Sequence, residues 1–397
     1  MISRRASQIS PSETLKISGK AKAMKREGKS VISLSAGEPD FNTPKYICDA
    51  AIKAIQDGHH GYTMNTGTPE LRQSIVEKLK RDNNLEYDAG QIVCSNGAKQ
   101  SLGFTMLALI DPDDEVIIPA PYWVSYPQMV NLAEGKPVPV RTDFENNYKL
   151  TPEQLESAIT SKTKAVILCS PSNPTGARYS KEELEGLAEV LRNHPDVYVI
   201  SDEIYEYIVF EGSHTSILEV APDLQKRTVL VNGFSKGFAM TGWRLGYLAA
   251  PEAISSAVAK IQSQETSAPS AISQKAGEAA YNHNLEAVNR MRDQFRNRRD
   301  FIIEEMNEIE GLKCFVPQGA FYAFPDISEY LGKKDPNGKV IETSTELCLY
   351  MLEEFGLASV PGDAFGEPNG IRISYASSME ELDDGMKRLR KALQSLS

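Results

Sequence analysis

The stretch NGFSKGFAMTGWRLG places one lysine, Lys236, in an apolar run that is punctuated by glycines, with Arg244 as the next cation. A single lysine is most often a solvated surface cation, and a structural ion pair is a second interpretation. A third is a reactive amine, because burial and a neighbouring cation lower the pKa of a lysine from about 10.4 and make it nucleophilic. The surrounding polar residues decide among these interpretations.

Residues that could bind a ligand through a side chain or the backbone follow four short apolar runs, QIVCSN, KAVILCSPS, DVYVIS and TVLVNGF. They are Gly97, Ala98, Lys99, Asn173, Asp202, Tyr205, Ser235 and Lys236. Taken singly, Asn173 before Pro174 is a turn residue, and Asp202 is the cap of a helix that carries Tyr205. Taken together, they indicate a site, because ligands bind at the carboxyl ends of the strands in an open parallel sheet.

A pyridoxal 5′-phosphate site uses all of these groups. Its aldehyde needs an amine, its pyridinium nitrogen needs an anion, and its phosphate needs backbone donors and a cation. Lys236 would supply the amine and Asp202 the anion, while Tyr205 and Asn173 would form hydrogen bonds with the ring oxygen. The sequence therefore predicts this cofactor.

The phosphate is expected at the helix that begins near Gly97, where unpaired backbone amides and the positive end of the helix dipole favour an anion. Ser235 and Arg244 would complete the phosphate site. Trp123, in PAPYWVSYP after another apolar run, would stack on the cofactor ring. A buried core tryptophan is the alternative for Trp123.

The elements that must position these residues follow an α/β pattern. Between Gln91 and Ala250, apolar runs alternate with helical stretches, which predicts a largely parallel, buried sheet. The runs are QIVCSN, EVIIPAP, KAVILCSP, DVYVISDEIY, RTVLVNGF and RLGYLAAP. Helix starts are predicted at Thr151 and Ser180 from capping boxes, and at Thr43-Pro44 and Thr68-Pro69 with proline in the first helical position.

Beyond Ser270 the pattern changes to a long helical region that ends at about Glu310. CFVPQGAFYAFPDI, a helix from about Ser344 to Phe355, IRISYASS and a terminal helix follow, as is typical of a smaller α+β unit. The first forty or so residues have no partner in the large sheet. We therefore predict a large domain over residues 47–285 and a small α+β domain from residues 1–46 and 286–397.

Composition excludes several functional classes. The formal net charge of −11 over 397 residues argues against binding to nucleic acid or an anionic membrane. No apolar segment approaches the roughly 20 residues that a membrane helix needs. The five cysteines lie far apart, with no CxxC pair or histidine at metal-ligand spacing, which indicates free thiols and no metal site. The N-terminus has arginines and serines but no apolar secretory core, so a cytoplasmic protein is predicted.

Nine motifs in order resemble the pyridoxal-phosphate-dependent aminotransferases of the aspartate aminotransferase fold (class I), and within them the bacterial-type aspartate aminotransferases. They cover nearly the whole chain: SAGEPDF, GYTMNTGTPELR, SNGAKQ, PYWVSYP, SPSNPTGA, SDEIYE, GFSKGFAMTGWRLGY, PQGAFY and IRISYA. The resemblance implies a three-layer PLP-transferase large domain beside the smaller α+β domain.

The resemblance also implies roles for individual residues. The lysine that matches Lys236 forms the Schiff base with the cofactor and shuttles a proton, and the arginine that matches Arg372 binds the substrate α-carboxylate. Without the resemblance, Arg372 in the IRIS run would be an edge-strand cation, with a bidentate carboxylate fork as the functional alternative.

Further matching positions concern the substrate, the cofactor and the assembly. Gly37, Trp123 and Asn173 match positions that touch substrate or cofactor. Tyr62 matches a tyrosine that reaches the phosphate of the neighbouring subunit. The resemblance thus implies a homodimer with shared active sites.

The implied reaction is a ping-pong transfer from L-aspartate to 2-oxoglutarate, giving oxaloacetate and L-glutamate. Ser12 and Thr14 are candidates for the second carboxylate by position only. Related enzymes that also use prephenate tend to have a lysine where this chain has Ser10 before Pro11, which lowers the expectation of prephenate activity. A broader-specificity aminotransferase and a lyase of the same fold remain alternatives, and the lack of a basic DNA-binding module disfavours a noncatalytic sensor.

Overall fold

The computed structural model describes residues 2–9 and 13–397. Ser10, Pro11 and Ser12 lie outside the described residues, as does the side chain of Thr14. The sequence-based expectations for the second carboxylate and for prephenate therefore stay predictions.

Helices and strands alternate through most of the described chain. The helices are α1 (Arg4–Gln8), α2 (Glu13–Arg26), α3 (Lys45–Gln56), α4 (Pro69–Asn83), α5 (Ala98–Leu109), α6 (Tyr126–Leu132), α7 (Pro152–Ala158), α8 (Lys181–Asn193), α9 (Ile217–Val220), α10 (Glu252–Glu265), α11 (Ala271–Asn282), α12 (Glu286–Asn307), α13 (Ser344–Phe355) and α14 (Met379–Gln394). The strands are β1 (Ile32–Ser33), β2 (Ile92–Ser95), β3 (Glu115–Ala120), β4 (Lys136–Arg141), β5 (Thr163–Cys169), β6 (Tyr198–Asp202), β7 (Thr228–Gly233), β8 (Gly246–Ala249), β9 (Tyr322–Ala323), β10 (Leu357–Ala358), β11 (Val360–Pro361) and β12 (Ile371–Ser374).

The central sheet has seven strands in the order β2-β8-β7-β6-β5-β3-β4. Strands β3 to β7 pair in parallel, whereas β8 runs antiparallel to both β7 and β2. Alternate strand residues enter two separate cores: Val166 and Leu168 of β5 pack on one face, and Ala165 and Ile167 on the other. Helices cover both cores, which confirms the predicted three-layer α/β fold with a mostly parallel sheet.

All six apolar runs form strands of this sheet, and its seventh strand, β4, was not predicted. Its sequence, KPVPVR, has prolines at two positions and is partly exposed, which is not typical of a buried strand. Strand β4 lies at the edge of the sheet and pairs only with β3. Proline is tolerated there because an edge strand has N–H groups that need no partner in the sheet.

The C-terminal residues form smaller sheets, an antiparallel β11-β12-β9 sheet and a parallel β1-β10 pair. Their core also takes in Ile17, Met24 and Leu34 from the N-terminal segment, which pack with residues such as Leu347 and Met386. The N-terminal segment thus packs with the C-terminal unit. The division of the chain at residues 46 and 285 stays a prediction.

Two helix predictions need correction. Pro44 is the N-cap of α3 and not its first residue, because Thr43 Oγ1 donates a hydrogen bond to the backbone oxygen of Ala239 over 2.7 Å. The helical region predicted from Ser270 to about Glu310 is divided at residues 283–285 into α11 and α12. The capping boxes at Thr151 and Ser180 and the Thr68-Pro69 start are confirmed. Across residues 2–9 and 13–397, no helix is long and apolar enough to cross a membrane.

Candidate active site

The carboxyl ends of neighbouring strands bring the predicted amine and carboxylate to one edge of the sheet. Asp202 is the last residue of β6, and Lys236 follows the end of β7, which pairs with β6. Lys236 Nζ donates a hydrogen bond to the backbone oxygen of Gly37 and lies 5.9 Å from the ring centres of both Tyr205 and Phe321. The N-terminal segment therefore closes over the strand ends.

Lys236 has an environment that favours the neutral amine. Burial of the amine, and next the positive charge of Arg372, lower the pKa of Lys236 from 10.5 to about 8. Glu38 and Asp202 oppose this shift, while Arg244 adds to it. The unprotonated, nucleophilic form of Lys236 is therefore much more populated near neutral pH than it is for a solvated lysine.

Asp202 is a buried carboxylate, with 4% of its surface exposed. Its Oδ2 accepts a hydrogen bond from the hydroxyl of Tyr126 over 2.6 Å, and its Oδ1 accepts one from the backbone N–H of Ile204 over 3.3 Å. Burial raises the pKa of Asp202 from 3.8 to about 6, although both hydrogen bonds lower it. Within the described residues Asp202 has no ion-pair partner, so it is available to a cationic ligand.

Tyr205 lies in a turn after β6, so the helix that was expected to carry it is absent here. The Asp202 side chain bonds to the N–H two residues on, which stabilises this turn. The hydroxyls of Tyr205 and Tyr322 share a hydrogen bond of 2.9 Å. Burial raises the pKa of Tyr205 well above 10.0, so the phenol is neutral and can donate.

Arg372 lies in β12, the middle strand of its sheet, and not in an edge strand. It is 2% exposed, and its Nη1 donates to Asn173 Oδ1 and its Nη2 to the backbone oxygen of Ser35, each over 2.9 Å. Burial lowers the pKa of Arg372, although Tyr322 and Tyr205 oppose the shift. In the part of the chain that the structure describes, Arg372 has no carboxylate partner.

The predicted phosphate site lies at the start of α5. Ala98 and Lys99 are its first two residues, whose amides have no acceptor within the helix, and its first turn has no acidic residue. Gly97 precedes them with φ 85°, and a Cβ there would lie 2.6 Å from Arg244 Nη2. Ser235 is buried, and the Arg244 guanidinium donates to the backbone oxygen of Asn96 over 3.1 Å.

Trp123 is half-buried beside these groups. Its ring meets Tyr126, the partner of Asp202, edge to face at 5.4 Å between ring centres. Lys99 Nζ lies 4.9 Å from the centre of the Trp123 ring. Burial, and then the charge of Arg244, lower the pKa of Lys99.

Two predicted residues differ in how they relate to this site. Gly37 is at the site, where its carbonyl contacts Lys236 and a Cβ would lie 3.5 Å from the Tyr322 hydroxyl. Tyr62 is 100% exposed, so its ring is open to a contact from outside its own chain. Its predicted role in a neighbouring subunit stays a prediction.

Several residues that contact the predicted ones have no predicted role of their own. Tyr126 bonds Asp202, Tyr322 bonds Tyr205, and Glu38 Oε2 accepts a hydrogen bond from Thr241 Oγ1 over 2.9 Å. Each lies in a motif that was recognised, PYWVSYP, PQGAFY or SAGEPDF. The signal was present, but only the folded chain shows which partner each residue meets.

These groups fit pyridoxal 5′-phosphate. Asp202 matches a protonated ring nitrogen, because a buried carboxylate without a cation needs a compensating charge. Lys236 matches the aldehyde, and the first turn of α5 with Arg244 matches the phosphate. Trp123 can face the ring.

Comparison with known proteins agrees with this chemistry. The model of the family "Aminotransferase class I and II" matches residues 29–389. The aspartate/prephenate aminotransferase of Nitrosomonas europaea is 47% identical over 395 residues, which are 99% of this chain and 99% of that protein. The aspartate aminotransferase of Bacillus subtilis is 45% identical over 400 residues and covers 100% of both chains.

Solved structures of similar proteins have the same fold. The aspartate aminotransferase from Rhizobium meliloti superposes with a TM-score of 0.97 at 47% identity, over 100% of both chains. The aspartate aminotransferase from Thermus thermophilus with maleate gives a TM-score of 0.92 at 40% identity, over 99% of each chain.

Proposed function

The chain belongs to the class I and II aminotransferase family, and from this premise we propose that it is an aspartate aminotransferase that uses pyridoxal 5′-phosphate. It moves the amino group of L-aspartate to 2-oxoglutarate in two half-reactions and gives oxaloacetate and L-glutamate. Full-length relatives at 45% to 47% identity with aspartate aminotransferase in their names support this substrate pair.

The observation that carries the proposal is the state of Arg372. Its guanidinium is buried, bonds only to the neutral oxygens of Asn173 and Ser35, and has an Nε without a partner among the described residues. A buried cation without an anion is costly. A carboxylate matches the planar fork of arginine, so the α-carboxylate of amino and oxo acids supplies the missing charge.

The residues around Arg372 have separate tasks. When bound, pyridoxal 5′-phosphate supplies a ring that accepts the electron pair released as the substrate loses its Cα proton. Lys236 would hold the cofactor aldehyde through its neutral amine and, once that amine is free again, would carry the substrate Cα proton at Nζ. Asp202 would accept a hydrogen bond from the ring nitrogen and keep it protonated, while Tyr205 and Asn173 would orient the ring oxygen.

The assembly and location belong to the same proposal. We infer a homodimer in which Tyr62 reaches the phosphate site of the partner subunit, since this aromatic side chain is fully exposed in the single chain. We infer the cytoplasm as the location because all five cysteines are free, which fits a reducing compartment.

Incubation of the cofactor-loaded enzyme with L-aspartate alone tests the reaction type. Fold and cofactor do not fix the reaction, so a lyase is the rival. An aminotransferase releases one oxaloacetate per active site, loses the visible absorbance of the bound cofactor, and then stops. Continued release of ammonia would identify a lyase and refute the proposal.

Prephenate is a second candidate acceptor, because the 47% identical relative from Nitrosomonas europaea has prephenate in its name. A panel of acceptors with L-aspartate as donor separates the two cases. Comparable kcat/KM for prephenate and 2-oxoglutarate would establish a dual enzyme, and turnover with 2-oxoglutarate alone would restrict it to the simpler reaction.

A further inference from the structure

A buried ion pair lies behind the carboxylate that faces the predicted cofactor ring. Side chains alternate along a strand, so Ser201 and Glu203 lie on the opposite face of the sheet from Asp202. There Glu203 meets His214, in the connection between β6 and α9. Glu203 is 1% exposed, and the side chain of His214 is 5% exposed.

Every oxygen of the Glu203 carboxylate has a donor. Its Oε1 accepts hydrogen bonds from Ser201 Oγ and Ser216 Oγ, each over 2.7 Å, and its Oε2 accepts one from His214 Nε2 over 2.8 Å. Burial raises the pKa of Glu203, but His214 and the serines outweigh it and lower the pKa overall. Burial likewise lowers the pKa of His214, but Glu203 outweighs it and raises the pKa. Both shifts favour the ionised forms of the two residues.

Other ionisable residues lie near the pair. Lys78 is wholly buried and forms an ion pair with Glu206, and Asn83 bonds both of them. Glu206 raises the pKa of His214 and Lys78 lowers it. Glu219 accepts a hydrogen bond from the backbone N–H of Ser216. None of these residues has a task in the reaction proposed above.

The backbone links this pair to both reactive groups. The N–H of Glu203 donates to the backbone oxygen of Val231 in β7 over 2.9 Å, and β7 leads to Lys236. Ser201 and Glu203 flank Asp202 in sequence, and the hydrogen bond from Ser201 Oγ to Glu203 Oε1 joins their side chains. These bonds restrain the residues on both sides of Asp202.

We propose that Glu203 and His214 are positioning residues that hold the Asp202 carboxylate against the cofactor ring nitrogen. His214 and Ser216, from the connection after β6, form hydrogen bonds with Glu203 on the face of the sheet away from the cofactor. The end of β6 then holds Asp202 in place beside the end of β7, which Lys236 follows. This inference rests on the proposed function, because it requires that pyridoxal 5′-phosphate binds at Asp202.

Two properties of the full-length protein test the proposal: its dissociation constant for pyridoxal 5′-phosphate, and the ¹⁵N chemical shift of ring-labelled cofactor bound to it. In His214→Leu, we expect the dissociation constant to rise about tenfold and the ¹⁵N shift to move towards that of an unprotonated ring. His214→Gln keeps an N–H donor and should recover part of both losses.

A matched control is His194→Leu. His194 also pairs with a glutamate, Glu156, over 3.1 Å, but it lies before the amino end of β6. This variant should have the cofactor affinity and ¹⁵N shift of the wild type. A purely structural role would give His214→Leu a lower melting temperature with unchanged affinity and ¹⁵N shift, and that result would overturn the proposal.

A second variant and the cofactor binding of the wild type distinguish a failure of the positioning role from a failure of the proposed function. If His214→Leu does not fold, Glu203→Gln, which has nearly the same shape, takes its place and should change both readouts in the same direction. Wild-type protein that binds no pyridoxal 5′-phosphate would contradict the proposed function itself. Wild-type binding with unaltered variants would contradict only the positioning role.

Discussion

Arg372 Nη1 donates a hydrogen bond to Asn173 Oδ1 over 2.9 Å, across 199 positions of sequence. It joins β12 of the C-terminal unit to the loop that follows β5 in the central sheet. The other terminal nitrogen of Arg372 reaches Ser35 in the N-terminal segment. One side chain thus holds three parts of the chain around the place where a substrate carboxylate would bind.

Replacement of Arg372 by glutamine should weaken the binding of both substrates to the same extent. The carboxylate is common to amino and oxo acids, and loss of a charged hydrogen bond costs about 1.5–3 kcal/mol, so KM for each should rise about 10- to 150-fold. Steady-state kinetics with L-aspartate and 2-oxoglutarate measure this. Arg290→Gln, at an exposed position on α12, is the control and should keep wild-type KM values. An unchanged KM in Arg372→Gln would mean that the carboxylate is bound elsewhere.

The rate at which the protein captures the cofactor covalently should vary with pH, and this variation should follow the lowered pKa of Lys236. The neutral amine attacks the aldehyde, so the capture rate of cofactor-free protein should rise with pH and level off above about 8. Stopped-flow absorbance with pyridoxal 5′-phosphate gives this profile. In Arg372→Gln the profile should move to higher pH, because the charge of Arg372 lowers the pKa of Lys236. A wild-type profile that still rises at about pH 10 would refute the lowered pKa.

Asp202→Asn should stabilise the cofactor-free protein while it abolishes activity. Folding raises the pKa of Asp202 from 3.8 to about 6, so the folded state binds the proton more tightly and stability falls as pH rises through this range. The amide removes a cost of about 3 kcal/mol at alkaline pH. Urea unfolding should show a gain at about pH 8 that shrinks towards pH 5. If Asp202→Asn were less stable than the wild type at about pH 8, the buried carboxylate of Asp202 would not destabilise the folded protein.

Tyr62 offers a test of shared active sites. Tyr62→Ala and Lys236→Ala homodimers should each be impaired, the first in cofactor affinity and the second in turnover. After unfolding and refolding together, mixed dimers should recover activity, because one site combines an intact Lys236 with the intact Tyr62 of the other subunit. Assays against separately refolded mixtures measure the recovery. No recovery, with mixed dimers present, would mean that Tyr62 serves no neighbouring site.

Much of the fold follows from local sequence patterns. Apolar runs predicted six strands of the central sheet, and the capping boxes at Thr151 and Ser180 predicted helix starts, because both signals are local. Strand β4 was missed because its prolines and exposure conceal a strand that pairs on one side only. The antiparallel direction of β8 was not predictable either, since an apolar run does not encode strand direction.

The site was predictable as a set of residue types but not as a network of contacts. Lys236 and Asp202 were found because strand ends converge on one edge of a parallel sheet. The bond from Tyr126 to Asp202 was not foreseen, because the two residues are 76 positions apart and nothing local pairs them. The same holds for Glu203 and His214, which meet only after the connection from β6 folds back.

Transfer of a ¹⁵N label from L-aspartate tests the central claim most directly. The wild-type enzyme, loaded with pyridoxal 5′-phosphate and supplied with ¹⁵N-aspartate and 2-oxoglutarate, should deliver the label to L-glutamate in equal amount to the oxaloacetate formed. Over the same time, the Lys236→Ala variant should deliver no label to L-glutamate. Label that collects in ammonia would contradict the account, as would transfer of the label by Lys236→Ala at the wild-type rate.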